Sequence, residues 1–263
     1  MTTVPFEARR FQSTAAYYLR YRIPYPDRLI ARVAERSRLI AGDALMDLGC
    51  GPGQLGIAFA KLGAKVTAMD PEPEMLAAAT EGAEQAGVNI TVRQGSSYDL
   101  SPDMAPLKLV VMGRSFHWMD RPATLATLDR LIARDGAVVL FHDRNVATSP
   151  DWRSIVEKLA ETYSPERSAD RARRKSREWE PHESVLLHSP FRNLERVGIV
   201  FERQLTIDDV VGRTFSMSVT SPQALGDKAG IFETALREEL SAAAPDGYFT
   251  EIVESTALLA FRD

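Results

Sequence analysis

The sequence predicts an α/β protein built on a doubly wound, mostly parallel seven-stranded sheet with helical cap or lid insertions. Three observations carry this expectation. Short β-rich apolar runs alternate with helical runs between residues 44 and 143, the pattern of parallel strands joined by right-handed helical crossovers. A glycine-rich turn, Asp47-Leu48-Gly49-Cys50-Gly51-Pro52-Gly53, directly follows the first strand-like run and precedes the first helical run after it. Two more strand-like runs lie near the end of the sequence, with helical patterns between them.

The first 26 residues interleave Phe11, Tyr17, Tyr18, Tyr21 and Tyr25 with Arg9, Arg10, Arg20 and Arg22, and Pro24 and Pro26 end the segment. Asp27 is placed to cap a helix whose apolar face is Leu29, Ile30, Val33 and Ile40. Strands are expected at 44–49, 64–70, 89–95, 107–113 and 136–143, with helices at 55–62, 73–86 and about 122–134. Beyond these, 151–163 reads as a helix, 194–205 and 255–262 as strands, and 206–244 as largely helical. A long helical insertion between two late strands suits a lid over a site, or a cap with no part in the chemistry. The expected organisation is an N-terminal aromatic and basic cap with the first helix (1–40), a ligand-binding core (41–145), and the rest of the sheet with a helical substrate lid (146–263).

Composition narrows the function. Of 263 residues, 44% are hydrophobic and 26% charged, which argues for a packed globular chain rather than a disordered one. Lys and Arg number 32 against 36 Asp and Glu, a net charge of −4, which argues against a general nucleic-acid binder. The lone Cys50 excludes a disulfide framework and a cysteine-rich zinc site. His117, His142, His182 and His188 are too dispersed in sequence to read as a metal cluster, so no metal is expected. No apolar run approaches the roughly 20 residues that span a bilayer, and the start MTTVPFEARRFQ lacks the apolar core of a secretory signal. A cytoplasmic protein without a membrane partner is the expectation.

In the glycine turn, glycine at every second position lets the backbone bend sharply and approach a ligand closely. A β-carbon at Gly51 or Gly53 is expected to stand where ligand atoms belong. A tight turn without a ligand is the plain alternative. Gly51-Pro52-Gly53-Gln54-Leu55-Gly56 also matches the dinucleotide pattern G-x-G-x-x-G, with Asp70 near the expected distance. The glycines begin earlier, at Gly49, and Asp47 sits in the strand end, details that fit another cofactor better.

The runs LMDLGCGPGQLG and AMDPEPEML closely resemble those of class I S-adenosylmethionine-dependent methyltransferases, which have a Rossmann-like fold. Tyr18, Arg22, Tyr25 and Pro26 match the Tyr-x-x-x-Arg…Tyr-Pro pattern of the small-molecule, type 11-like branch, and Ser115-Phe116-His117-Trp118 resembles a segment frequent there. The resemblance covers the first 145 residues well and implies S-adenosylmethionine as cofactor and a small-molecule substrate. It implies that Gly49, Cys50, Gly51 and Gly53 line the methionine moiety, with Asp47 holding the loop and the cofactor's ammonium. Asp70, followed by Pro71, would accept the ribose hydroxyls, a helix cap being the alternative. Met75 would pack at the adenine edge or in the core. Where the family often has an acid after the third strand, this chain has Gly95-Ser96-Ser97-Tyr98-Asp99, so Ser96, Ser97 or a backbone group takes that contact. Gly113, Arg114 and Ser115 would touch the cofactor from the fourth strand's end. Tyr18 and Arg22 would do so from the N-terminal segment, Arg22 through the methionine carboxylate; a surface arginine is the alternative.

Methyl transfer from a sulfonium needs an in-line nucleophile and a dry site, and no metal. His117 is the candidate catalytic base; orienting Trp118 or capping the next helix are its alternatives. Tyr21, Tyr25, Trp118 and His142 are candidates for the substrate pocket, whose aromatic and arginine side chains suit a planar or carboxylated acceptor. The chain carries Gly113-Arg114-Ser115-Phe116 where enzymes methylating exocyclic amines of DNA bases carry Asp/Asn-Pro-Pro-aromatic, so the resemblance stops short of adenine-N6 DNA methyltransferases. Arg167, Arg171, Arg173, Arg174, Lys175 and Arg177 make a basic stretch that reads as a solvated helix face or a phosphate-contacting patch. The other readings are a tRNA or protein methyltransferase using that stretch, a non-catalytic cofactor-binding module, and a nicotinamide oxidoreductase.

Overall fold

Alternation along the strands builds the two-faced sheet. On β1 (Ala44–Leu48), β4 (Leu107–Gly113) and β5 (Ile132–Val146), Met46, Val110 and Val138 belong to one apolar layer and Leu45, Val111 and Val139 to the other. Both faces are buried, as a parallel sheet covered by crossover helices requires. With β2 (Lys65–Asp70), β3 (Ile90–Gln94), β6 (Asn193–Thr206) and β7 (Tyr248–Phe261), these strands form one seven-stranded sheet in the order β3-β2-β1-β4-β5-β7-β6. Neighbours from β3 through β5 pair in parallel, and β7 runs antiparallel to both β5 and β6. Chain order reverses between β1 and β4, which opens a crevice at their carboxyl ends. The computed structural model describes residues 17, 20–146, 148–166, 168–169 and 179–263.

Among the described residues, the fully bounded helices are α1 (Asp27–Arg36), α2 (Gln54–Lys61), α3 (Pro73–Gln85), α4 (Arg121–Leu131), α5 (Trp152–Tyr163), α6 (His182–Leu187), α7 (Ile207–Phe215), α8 (Pro222–Leu225) and α9 (Ala229–Ala243). Leu29, Ile30 and Val33 of α1 are buried as expected. Ile40 is not: the helix ends at Arg36, and Ile40 is 68% exposed. Asp27 is the first residue of α1 rather than its cap; Pro26 precedes it and no side-chain cap forms. Strands β5 and β7 are longer than their apolar runs, because backbone pairing of His142–Val146 with Ile252–Thr256 extends the ladder through polar residues.

The insertion between β6 and β7 builds an apolar core of its own. A capping box opens α7, with Asp209 N donating to Thr206 Oγ1 at 3.1 Å and Thr206 N donating to Asp209 Oδ2 at 2.9 Å. Phe215, Phe232, Leu236 and Leu240 then close on Trp152 and Val156 of α5 and Phe249 of β7. The N-terminal aromatic segment docks here: Tyr17 lies edge-on to Phe215 at 5.5 Å and stacks on Tyr21 at 6.3 Å. Tyr21 lies against α7 at Gly212, where a β-carbon would overlap its ring. Tyr18, the arginines and Phe11 ahead of it, and the basic stretch at Arg167, Arg171, Arg173, Arg174, Lys175 and Arg177 lie outside the described residues. Among the described residues no helix is long and apolar enough to cross a membrane.

The Gly212–Tyr21 contact yields the first prediction. Gly212→Ala should cost the docked segment about 1–3 kcal/mol by overpacking and expose its backbone. Trypsin should then cut after Arg20 and Arg22 at least about fivefold faster under conditions where cleavage tracks the open population. Unchanged cleavage would mean that the ring is not held there.

Candidate functional site

Two buried carboxylates grip the glycine loop. Asp47, on β1, accepts the Gly56 N–H at 2.8 Å, in the first turn of α2, where helical N–H groups lack partners. Asp70, at the end of β2, accepts Gly51 N–H on one oxygen at 2.8 Å and Glu72 N–H on the other at 3.0 Å. It thereby ties the loop after β1 to the entry of α3. Burial raises the Asp47 pKa to about 7, the Gly56 hydrogen bond opposing and the Asp70 charge adding to the rise. Burial likewise raises that of Asp70, against its two backbone hydrogen bonds. Asp47 is enclosed at 1% exposure and holds the loop through the Gly56 N–H.

The three glycines differ in what they face. Gly49, at φ +69°, abuts Ser115; a β-carbon there would lie 2.6 Å from the Ser115 Cβ. Ser115 Oγ donates to Leu48 O at 2.8 Å and so joins the end of β1 to the turn after β4. Gly51, at φ +53°, faces open space, with nothing within 4 Å of a built β-carbon. Gly53, at φ +78°, departs from expectation: its β-carbon would press on Ala79 at 2.9 Å, so helix packing fills the space assigned to a ligand. Cys50 and Met75 are buried, Cys50 against Ala68 and Leu76. Ser96 donates to Asp99 Oδ2 through its N–H and its hydroxyl, both at 2.8 Å, and these bonds hold the Asp99 carboxyl below its ordinary range. Ser97 and Pro71 are half-buried, and Pro71 O accepts from Gln94 Nε2 at 3.3 Å.

At the end of β4, Arg114 adopts a left-handed φ of +58°, uncommon for a side chain with a β-carbon. Its N–H donates to Phe141 O at 3.0 Å, its Nε to Asp143 Oδ2 at 2.8 Å and its Nη2 to Ile23 O at 2.9 Å. Its guanidinium lies 4.5 Å from the centre of the Tyr25 ring. One residue thus fastens the N-terminal segment to β4 and β5. Tyr25 is buried against Phe141 and crowds Gly113, where a β-carbon would meet its hydroxyl. Its place is in the packed core, which corrects its assignment to a substrate pocket.

A cavity of about 400 Å³ opens over the carboxyl ends of β4 and β5. His117, His142 and His182 line it with Arg22, Arg114, Arg196 and Arg213, and Phe116, Leu140, Phe141 and Leu258 supply apolar wall. Three histidines that lie far apart in sequence therefore line one cavity. Among the described residues no group of three or more His, Cys, Asp or Glu is placed to hold a metal ion. His142 Nδ1 lies 3.4 Å from Thr256 Oγ1; desolvation lowers its pKa, Arg196 and Arg114 adding and Asp143 opposing. His182 lies 3.2 Å from Arg121 Nη1 and packs on Phe116. Burial, then the Arg121 charge, push its pKa to about 4, so it is neutral at pH 7. His117 packs on Trp118 at 4.7 Å between ring centres. Among the described residues, the lining includes neither Tyr21 nor Trp118. Sequence reasoning missed His182, Arg196 and Arg213 as site residues. For Arg213 a signal existed: a lone charge within the apolar helical run Val210-Val211-Gly212-Arg213-Thr214-Phe215.

Residues 45–136 match the family described as Methyltransferase domain. The seven-stranded sheet that contains this segment has the Rossmann-like fold of solved methyltransferases. A ubiquinone biosynthesis O-methyltransferase of Methylocella silvestris is 38% identical over 139 residues, 45% of this chain and 54% of the relative. The chain spans about half or less of the length of such curated relatives. An uncharacterized methyltransferase of Mycobacterium tuberculosis is 26% identical over 226 residues, 83% of this chain and 81% of the relative. Among solved structures, an S-adenosylmethionine-dependent methyltransferase from Geobacter sulfurreducens in complex with S-adenosylhomocysteine superposes with TM-score 0.55 at 17% identity, covering 100% of both chains. One from Thiobacillus denitrificans gives 0.54 at 17%, covering 99% and 100%.

Asp47 predicts a pH dependence. Between its unfolded pKa of 3.8 and its folded pKa of about 7, the folded chain keeps a proton that the unfolded chain has released. Stability therefore falls as pH rises through that window and levels off above it, by at most about 1.4 kcal/mol per pH unit for one proton. Asp47→Asn removes that slope, so urea midpoints of wild type and variant should diverge between pH 4.5 and 7. Parallel pH curves would contradict a protonated Asp47.

Proposed function

We propose that this chain binds S-adenosylmethionine at the glycine loop and methylates a small-molecule acceptor in the adjoining cavity. The observation that carries the reading is the open space at Gly51, bounded by the Asp70 carboxylate at the point where β1 and β4 part. The residues present fit the cofactor. Each oxygen of Asp70 accepts one backbone N–H and retains acceptor capacity for a ribose hydroxyl. The backbone beside Gly51 leaves room for the methionine end, and Arg22, which lines the cavity, suits its carboxylate. The neighbours solved with S-adenosylhomocysteine support this choice.

The cofactor supplies an activated methyl group, so the protein's task is to align a nucleophile and keep water away. Phe116, Leu140, Phe141 and Leu258 provide the apolar wall. His117, on the turn Phe116–Trp118 after β4, takes the proton from an acceptor hydroxyl as methyl transfer proceeds. The relatives named O-methyltransferases support a hydroxyl as the acceptor group. His182 is neutral at pH 7 and serves as a hydrogen-bonding wall rather than a cation.

Calorimetric titration with S-adenosylhomocysteine, with NAD in parallel, tests the cofactor. Binding of S-adenosylhomocysteine alone is expected; binding of NAD alone would overturn the reading. Asp70→Ala should lose about 1.5–3 kcal/mol of that affinity, the worth of a hydrogen bond to a charged group. His117→Ala should lower turnover of a hydroxylated acceptor about 10²-fold or more while leaving S-adenosylhomocysteine affinity in place. Normal turnover would remove it as the base.

A further inference from the structure

We infer that His182 selects the acceptor molecule, its ring fixed by Arg121 so that Nε2–H faces the cavity and recognises a neutral carbonyl oxygen; this rests on the methyltransferase reading above. Arg121, the first residue of α4, is buried at 8% exposure. Its Nη1 donates to Glu180 O at 2.7 Å and lies 3.2 Å from His182 Nδ1, and its guanidinium lies 4.4 Å from the centre of the Trp179 ring. A guanidinium is always charged and carries donors only, so Nδ1 is the acceptor in this contact. A neutral imidazole with a bare Nδ1 carries its proton on Nε2. An imidazolium would instead set one donor against another. The groups that act on the ring agree: burial, then the Arg121 charge, push its pKa to about 4, with Glu183 opposing and His142 adding.

The His182 ring packs on Phe116 at 5.1 Å between centres, and both residues line the cavity, whereas Arg121 is not among its described lining residues. The Nδ1 edge therefore faces protein, and Nε2, on the far side of the ring, faces the cavity. Among the described residues, the hydrogen bond made by this ring is the one at Nδ1. The guanidiniums around the cavity are engaged by contrast. Arg213 Nη1 donates to both oxygens of Glu251 at 2.6 Å, Arg114 pairs with Asp143 and Arg196 with Glu183, and Arg22 Nη2 donates to Ser216 O at 3.1 Å. The donor that His182 offers is neutral and carries no acceptor on that edge. It matches an oxygen that accepts without bringing a proton or a charge, as in a ketone, aldehyde or amide. A carboxylate would bring a charge that the paired guanidiniums do not balance, and a hydroxyl would bring a proton needing a partner of its own. Leu140 and Leu258 of the same wall keep water from the bond, which strengthens it.

The test joins nitrogen-15 NMR of the histidine rings with calorimetry on the full chain saturated with S-adenosylhomocysteine. The His182 signals, assigned by their loss in His182→Phe, should be those of the Nε2–H tautomer and should not titrate at neutral pH. The calorimetric probes are the 3- and 4-isomers of hydroxyacetophenone against the matching ethylphenols, which keep the hydroxyl and the ring but lack the carbonyl oxygen. In at least one isomer pair, wild type should bind the ketone at least about threefold more tightly, the worth of a neutral hydrogen bond. That ketone, and not its ethyl counterpart, should shift the His182 Nε2 signal. His182→Phe keeps a ring against Phe116; it should erase the preference while S-adenosylhomocysteine affinity stays within about twofold. An Nδ1–H tautomer, equal or no binding of both probes by wild type, or a preference that survives His182→Phe would each overturn the inference. Should that variant not fold, the tautomer and the preference of wild type decide. Were wild type not to bind S-adenosylhomocysteine, the methyltransferase reading would fail, and the same two measurements without it would still decide the role of His182.

Discussion

Asp70 spanning the Gly51 and Glu72 N–H groups is the contact on which the rest of the sheet's carboxyl edge depends. A chain that leaves β1, turns through alternate glycines and enters α2 must present several backbone donors with no strand to receive them. Asp47 and Asp70 receive two of them, one beneath the loop and one beside it. Burying two carboxylates strips them of water, and their raised pKa values register that cost. What offsets the burial is a loop held in one shape, with Gly51 turned toward open space.

The second organising element is Arg114. A left-handed residue at the end of β4 is strained, and the contacts that hold it come from three directions: Phe141 and Asp143 on β5, Ile23 ahead of α1, and the Tyr25 ring. Through it the N-terminal segment is latched over the edge where the cavity opens. The same segment reaches the other way, through Tyr17 and Tyr21, to α7 of the insertion. The cavity is thus bounded by sheet, segment and insertion together, with the segment packing on the sheet through Tyr25 and on the insertion through Tyr17.

Most of the sheet was legible because its cause is local. Apolar alternation in ALMDL, KVTAMD and LKLVVMG, each bounded by glycine or polar turns, fixes strand and face at once. The glycine loop and its two acids were legible for the same reason, since loop, strand end and the next strand's end lie close in sequence. Ile40 misled because its helical spacing outlasts the helix, which ends at Arg36. Gly53 was assigned to a ligand because nothing in the loop announces that Ala79, a helix away, takes its space. His182 and Arg213 were missed as site residues because they reach the cavity from α6 and α7, through sheet order and an insertion that no local pattern encodes. Tyr25 reads as a pocket aromatic beside its arginines, yet Gly113 makes room for it in the core.

The insertion between β6 and β7 has a consequence for how such a protein changes over time. Its apolar core is closed on α5, α7, α9 and Phe249, and the loop after β1 contributes nothing to it. Substitutions on α7 can therefore reshape the charge and contour of the cavity while the grip of Asp47 and Asp70 on the glycines stays intact. A lineage built on this plan can exchange the molecule it recognises in small steps without passing through forms that have lost the shared half of the machinery.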